Sequence, residues 1–136
     1  MLIACCAPKK YSLRQDEEIF GTWVSQVSNP QKLVMMPDGT WEEYIYQTDS
    51  SPAYKGTYEV TERWNDAQGN TWYKEVVSCT FGLGKGSRTQ ELDRINKSRQ
   101  VWELVYVEIG QFDRRNFPKV IDPKDSSYRI YERLVK

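Results

Sequence analysis

The chain has 136 residues, with 19 Lys and Arg against 19 Asp and Glu, and no His. That length suits one domain, and the balanced charge gives none of the basic surplus that marks nucleic-acid binding. Without His the chain holds no Ser-His-Asp or Cys-His nucleophile pair and no His-bearing zinc site.

The first residues, Met1 to Arg14, read as an N-terminal tail, polar from Lys9 onward, ahead of a single domain spanning 15–136. Gln15 to Phe20 is expected to form one helical turn, its acidic residues placed in the first turn where the helix dipole favours them. From there on, short runs rich in aromatic and β-branched residues alternate with turn clusters. Gly21 to Val27 is the first expected strand, turned at Ser28-Asn29-Pro30, and Lys32 to Met36 is the second, closed by Pro37-Asp38-Gly39. Thr40 to Gln47 and Tyr54 to Trp64 follow, then Thr71 to Phe81 after the turn around Gly69. Gly82 to Ser87, with three glycines, reads as a mobile loop and lacks the spacing of a phosphate-binding loop. Thr89 to Asn96 and Gln100 to Glu108 are the sixth and seventh strands; after a long connection, Ser127 to Val135 is the eighth.

Within these runs the side chains alternate. Tyr58, Val60, Glu62 and Trp64 form a mainly apolar face opposite Thr57, Glu59, Thr61 and Arg63, whereas Val101 to Tyr106 is apolar on both faces. Antiparallel strands with short connections leave two open sheet edges, which closure into a barrel removes. The expected fold is therefore all-β, an eight-stranded antiparallel up-and-down barrel. Tyr at 9 and Trp at 5 outnumber Phe at 4, as suits walls that are apolar at one end and wet at the other.

The titratable residues give no strong catalytic pattern. Glu42 and Glu43 are adjacent on a strand and point to opposite faces, so they do not make an acid/base pair. Asp122 and Asp125 lack the oxygen density of a calcium loop. Lys85, Arg88, Arg94, Lys97 and Arg99 form a modestly basic stretch, interrupted by Glu91 and Asp93, that reads as a solvated edge. Of the three cysteines, Cys5 and Cys6 are adjacent, and Cys79 reads as a small buried hydrophobe with no base to activate it. No metal site, cofactor or catalytic residue is expected.

Three short sequences carry a family resemblance. Gly21-Thr22-Trp23 at the head of the first strand, together with the hairpin sequences Met36 to Trp41 and Gly69 to Tyr73, resembles the lipocalin and wider calycin superfamily, in particular bacterial lipocalin-like envelope lipoproteins. The resemblance implies that Trp23 closes the barrel floor against an arginine near the chain end, with Arg133 the first choice and Arg129 the second. The short first loop and the lack of a helix after the eighth strand depart from the lipocalin pattern. Leu2-Ile3-Ala4-Cys5 resembles a bacterial lipobox, with Cys5 the residue that would carry lipid. On that reading the protein is held at the cell envelope by a membrane anchor, and it is cytoplasmic if Met1 is the genuine start.

The expected function is non-enzymatic: binding or carrying a small hydrophobic or amphipathic molecule, with Tyr58, Val60, Tyr73, Val77 and Tyr106 lining the interior. The alternative is a filled barrel that meets a protein partner through its surface. The identity of such a partner is not readable from the residues.

Overall fold

The computed structural model describes residues 11–25 and 31–134. It is an eight-stranded antiparallel barrel, closed, with each strand hydrogen-bonded to its neighbours in sequence and the last paired with the first. The strands are β1 (Gly21–Ser25), β2 (Lys32–Met35), β3 (Thr40–Tyr44), β4 (Tyr54–Asn65), β5 (Asn70–Phe81), β6 (Arg88–Asn96), β7 (Val101–Glu108) and β8 (Arg129–Arg133). The seam is formed by β1 and β8, with Trp23 opposite Arg133 and Ser25 opposite Tyr131. Among the described residues no helix is long and apolar enough to cross a membrane.

The expected helical turn at 15–20 is instead a pair of turns, one closed by Phe20 N–H donating to the Glu17 carbonyl at 3.2 Å. Side-chain bonds explain why: Glu17 is drawn inward to accept from four groups, described below, and a helix would turn it away. β3 stops at Tyr44, short of the expected Gln47, where the Asp49 carboxylate caps the Tyr46 N–H at 3.2 Å. β8 starts at Arg129, two residues after the expected Ser127, because Asp125 holds Ser127 in a turn. The glycine-rich loop is tied by backbone bonds from Lys85 to Gly82 and from Gly86 to Cys79.

Alternation places Trp23, Tyr58, Val60, Tyr73, Ile95, Trp102, Leu104 and Tyr131 inside. In β4 the alternation changes phase. A bulge between Val60 and Glu62 sets Arg63 opposite Tyr73 and Trp64 opposite Trp72. Glu62 and Trp64 therefore face outward, contrary to the expected apolar face, and Arg63 turns in, because one extra residue reverses every side chain beyond it. The 109–125 connection lies along the outer face of the barrel. The Gln90 amide exchanges two hydrogen bonds with the Asp113 backbone, at 2.8 and 2.9 Å, and Leu92, Val105 and Phe117 are buried. This second apolar layer is why β7 is apolar on both faces.

Candidate functional site

The two ends of the barrel differ. At the end where the segment before β1 meets the end of β8, Trp23 is fully buried, donates its indole N–H to the Ile19 carbonyl at 3.0 Å and packs edge-on against Trp102 at 5.3 Å. The Arg133 guanidinium lies 4.1 Å from the centre of the Trp23 ring. Its N–H groups donate to the Phe20 carbonyl, to the Glu18 carbonyl at 2.5 Å and to Gln100 Oε1 at 2.6 Å. Arg129 takes no part in this floor; it is exposed, bonded to the Ser126 and Tyr128 carbonyls, with its guanidinium 5.7 Å from the Tyr106 ring. Gly21, at φ +121°, has no room for a Cβ, which would meet Arg133 Nη1 at 2.6 Å.

Beside this floor Glu17 accepts hydrogen bonds from Tyr11 Oη, the Arg14 backbone N–H, Arg63 Nε and Tyr73 Oη, all at 2.8–2.9 Å. Burial alone would raise its carboxyl pKa, but the Arg14 N–H, the two tyrosine hydroxyls and the Arg63 charge together hold it below the usual glutamate value. The segment before β1 is thus stitched to β4 and β5 by one carboxylate.

At the opposite end, among the described residues, inward side chains keep some solvent exposure. Of the five expected lining residues, Tyr58, Val60 and Tyr73 are buried in the core, and Val77 and Tyr106 are half-buried against it. Tyr58 Oη donates to the Met36 carbonyl at 2.5 Å, so the first two tyrosine hydroxyls, those of Tyr58 and Tyr73, are spent on structural partners. Tyr54 and Cys79 also pack half-buried against the core at this end. The loops and strand ends around this mouth expose Ile45, Tyr46, Phe81 and Leu83, the last at 97%. Cys5 and the rest of the lipobox lie outside the described residues.

Between floor and mouth stand three carboxylates. Glu75 sits opposite Glu91, and Asp93 lies two residues further along β6 on the same face, opposite Tyr73. Oxygens of Glu75, Glu91 and Asp93 lie within 4.8 Å of one another. Trp102 Nε1 donates to Asp93 Oδ1 at 3.2 Å, and Thr89 Oγ1 to Glu91 Oε2 at 3.2 Å. Both oxygens of Glu75 and Oδ2 of Asp93 are buried without a hydrogen-bond donor. Burial pushes all three carboxyls up, Glu91 to about 8, helped there by the Glu75 charge. Asp93 rises well above the usual range through burial first, then the Glu75 charge and a contact with Glu75 that a shared proton can bridge. Glu43 also points inward; burial raises it and Arg129 opposes the rise. Glu91 and Asp93 are therefore interior groups, not interruptions of a solvated basic edge.

This cluster was legible in part. If Tyr73 and Val77 face inward, Glu75 between them does too, and Glu91 and Asp93 share a face by the same period of two. Charge at those positions argued the other way, because unpaired carboxylates seldom face a core.

On the outer face, a groove of about 460 Å³ runs between the barrel and the 109–125 connection, lined by Trp64, Trp72, Lys74, Leu92 and Phe117, with Arg115 at its edge. Trp64 and Trp72 stack at 5.7 Å with their planes 5° apart, and Asp66 Oδ2 accepts from Trp72 Nε1 at 2.8 Å. No protein-family model, curated protein or solved structure matches the chain.

Proposed function

We propose that this is a non-enzymatic, lipocalin-like barrel that binds a small amphipathic molecule in its open end. The observation that carries the reading is the contrast between the ends: Trp23 and Arg133 seal one, while inward-facing Tyr54, Val77, Cys79 and Tyr106 keep solvent exposure at the other. Apolar walls narrowing onto a few polar groups describe a small-molecule site. An apolar part would lie against Val77 and Tyr106, and a polar, hydrogen-bond-donating part would point toward the carboxylates. Exposed Ile45, Phe81 and Leu83 around the mouth suit entry from an apolar phase.

The test is titration with the apolar fluorophore N-phenyl-1-naphthylamine, alongside native mass spectrometry of protein from its own host. One-to-one binding that weakens at least tenfold in Val77→Trp, and not in Trp64→Ser, supports the mouth. The outer groove favours a second reading, in which Trp64, Trp72 and Phe117 meet a protein partner. Probe binding that responds to Trp64→Ser alone would move the assignment there.

We also propose attachment to a bacterial envelope through lipid on Cys5. Two or more acyl chains anchor durably, since each buried CH2 contributes ~0.8 kcal/mol. Expression from the genuine start should place the wild type with membranes and Cys5→Ser in the soluble fraction. A wild type that stays in the cytosol ends this reading.

A further inference from the structure

We propose that Glu75, Glu91 and Asp93 form a binding site for one calcium-sized divalent cation inside the barrel. This goes beyond small-molecule binding at the mouth and stands whether or not that occurs.

The case begins with donors. Several of the donors nearest the cluster are already committed. Tyr58 Oη is bonded to the Met36 carbonyl and Tyr73 Oη to Glu17. Arg63 is paired with Glu17 at 2.9 Å. Trp102 and Thr89 reach one oxygen each, on Asp93 and Glu91. Both Glu75 oxygens and Asp93 Oδ2 are left, fully buried, with no donor from outside the cluster aimed at them; only a proton held between Glu75 and Asp93 bridges them. Leaving buried carboxylate oxygens without a partner is costly, and among the described residues no Lys or Arg forms an ion pair with any of the three. A divalent cation would displace protons from these carboxyls, supply the missing partner and balance the charge of the carboxylates so formed.

Size and ligand type then narrow the cation. Two oxygens on one ion can be no further apart than twice the metal–oxygen distance. That limit is about 4.6–5.2 Å for calcium and about 4.0–4.2 Å for magnesium. The cluster's oxygens, all within 4.8 Å of one another, fall inside the calcium limit. An all-carboxylate set with neither His nor thiolate selects hard, oxygen-seeking ions. Because Glu75 and Glu91 face each other across β5 and β6, and Asp93 follows on the same face of β6, the ligands come from two strands locked in register. On the side of the cluster away from Trp23, Val77, Thr89 and Tyr106 are each only half-buried, and an ion would enter past them.

The test uses the intact chain and two probes. Calcium at about a hundredfold excess over its dissociation constant should raise Tm by roughly 5–10 °C, with sodium at matched ionic strength giving no such rise. Terbium, which takes the same oxygen ligands, should show one-to-one luminescence on tryptophan excitation, because Trp102 is hydrogen-bonded to Asp93, and calcium should displace it. Glu75→Gln and Asp93→Asn each keep the side-chain shape and remove a charge, so they should fold at least as well without cation. Both should lose the calcium-induced rise and weaken terbium binding at least tenfold. A wild type whose Tm does not respond to calcium overturns the proposal without recourse to any variant. So does terbium emission that survives in both substitutions, which would place the ion elsewhere. Binding of N-phenyl-1-naphthylamine is read separately, so failure of the cation site leaves the mouth untouched and the reverse also holds.

Discussion

Arg133 is both the lid on Trp23 and the clasp of the barrel seam. Its guanidinium stacks 4.1 Å from the indole centre while the same planar group donates to Phe20, Glu18 and Gln100. One side chain thereby joins the segment before β1, the turn between β6 and β7, and the last strand. Lysine keeps the charge but has neither the planar face nor the fork of donors. Arg133→Lys should therefore destabilise nearly as much as Arg133→Ala, by about 2–4 kcal/mol, through lost charged hydrogen bonds and lost stacking. Urea denaturation checks this. A lysine variant of wild-type stability would show that charge alone is what the floor requires.

Trp23→Ala removes the surface that Arg133 and Trp102 both pack against. The indole is fully buried, and truncating a buried Trp costs roughly 3–5 kcal/mol. Because Trp23 and Arg133 are in contact, the double substitution should cost less than the sum of the singles. Additive losses in a double-mutant cycle would mean that the stack contributes nothing to stability.

The strands were readable where their residues obey one rule at a time. Gly21-Thr22-Trp23 marks β1 and its inward Trp, and the turns at Pro37-Asp38-Gly39 and around Gly69 fix the hairpins that follow. Trp64 was misread because the bulge between Val60 and Glu62 leaves no compositional trace, yet reverses the phase. Val105, on a strand apolar on both faces, resisted assignment because the 109–125 connection gives the barrel wall a second buried face. Glu75, Glu91 and Asp93 were hidden by their own residue type, since period and polarity gave opposite answers there.

Gly56 marks a place where the backbone itself is the packing surface. A Cβ there would stand 1.8 Å from the Ser78 carbonyl oxygen and 2.6 Å from the Trp41 ring. Trp41 is fixed over that spot by Nε1 bonds to the Thr57 and Ser78 carbonyls, both at 3.2 Å. Gly56→Ala should thus cost about 3 kcal/mol, as overpacking against backbone does when nothing can yield. Gly110→Ala, where a Cβ meets nothing within 4 Å, should be close to neutral. Equal melting temperatures for the two variants would contradict the close approach of β4, β5 and Trp41.

Glu17 gives the barrel a specific sensitivity to acid. Its carboxyl is held below the usual glutamate value, burial being outweighed by the Arg14 N–H, the Tyr11 and Tyr73 hydroxyls and the Arg63 charge. A carboxyl with a lowered folded-state pKa binds its proton more weakly folded than unfolded. Its stabilising contribution is therefore complete above the unfolded value of about 4.5 and is lost as pH falls through the folded one. Glu17→Gln should cost about 2–4 kcal/mol at pH 7, since it removes charge-assisted bonds and leaves Arg63 unpaired. The gap between wild type and variant should then shrink as pH is lowered from 5 toward 3, because the protonated wild-type side chain is as neutral as the amide. Taking the difference between the two proteins cancels the contributions of Glu75, Glu91 and Asp93, which are common to both. Urea midpoints at a series of pH values measure it directly, and a gap that stays constant or widens in acid would show that Glu17 is not held as a carboxylate by these four donors.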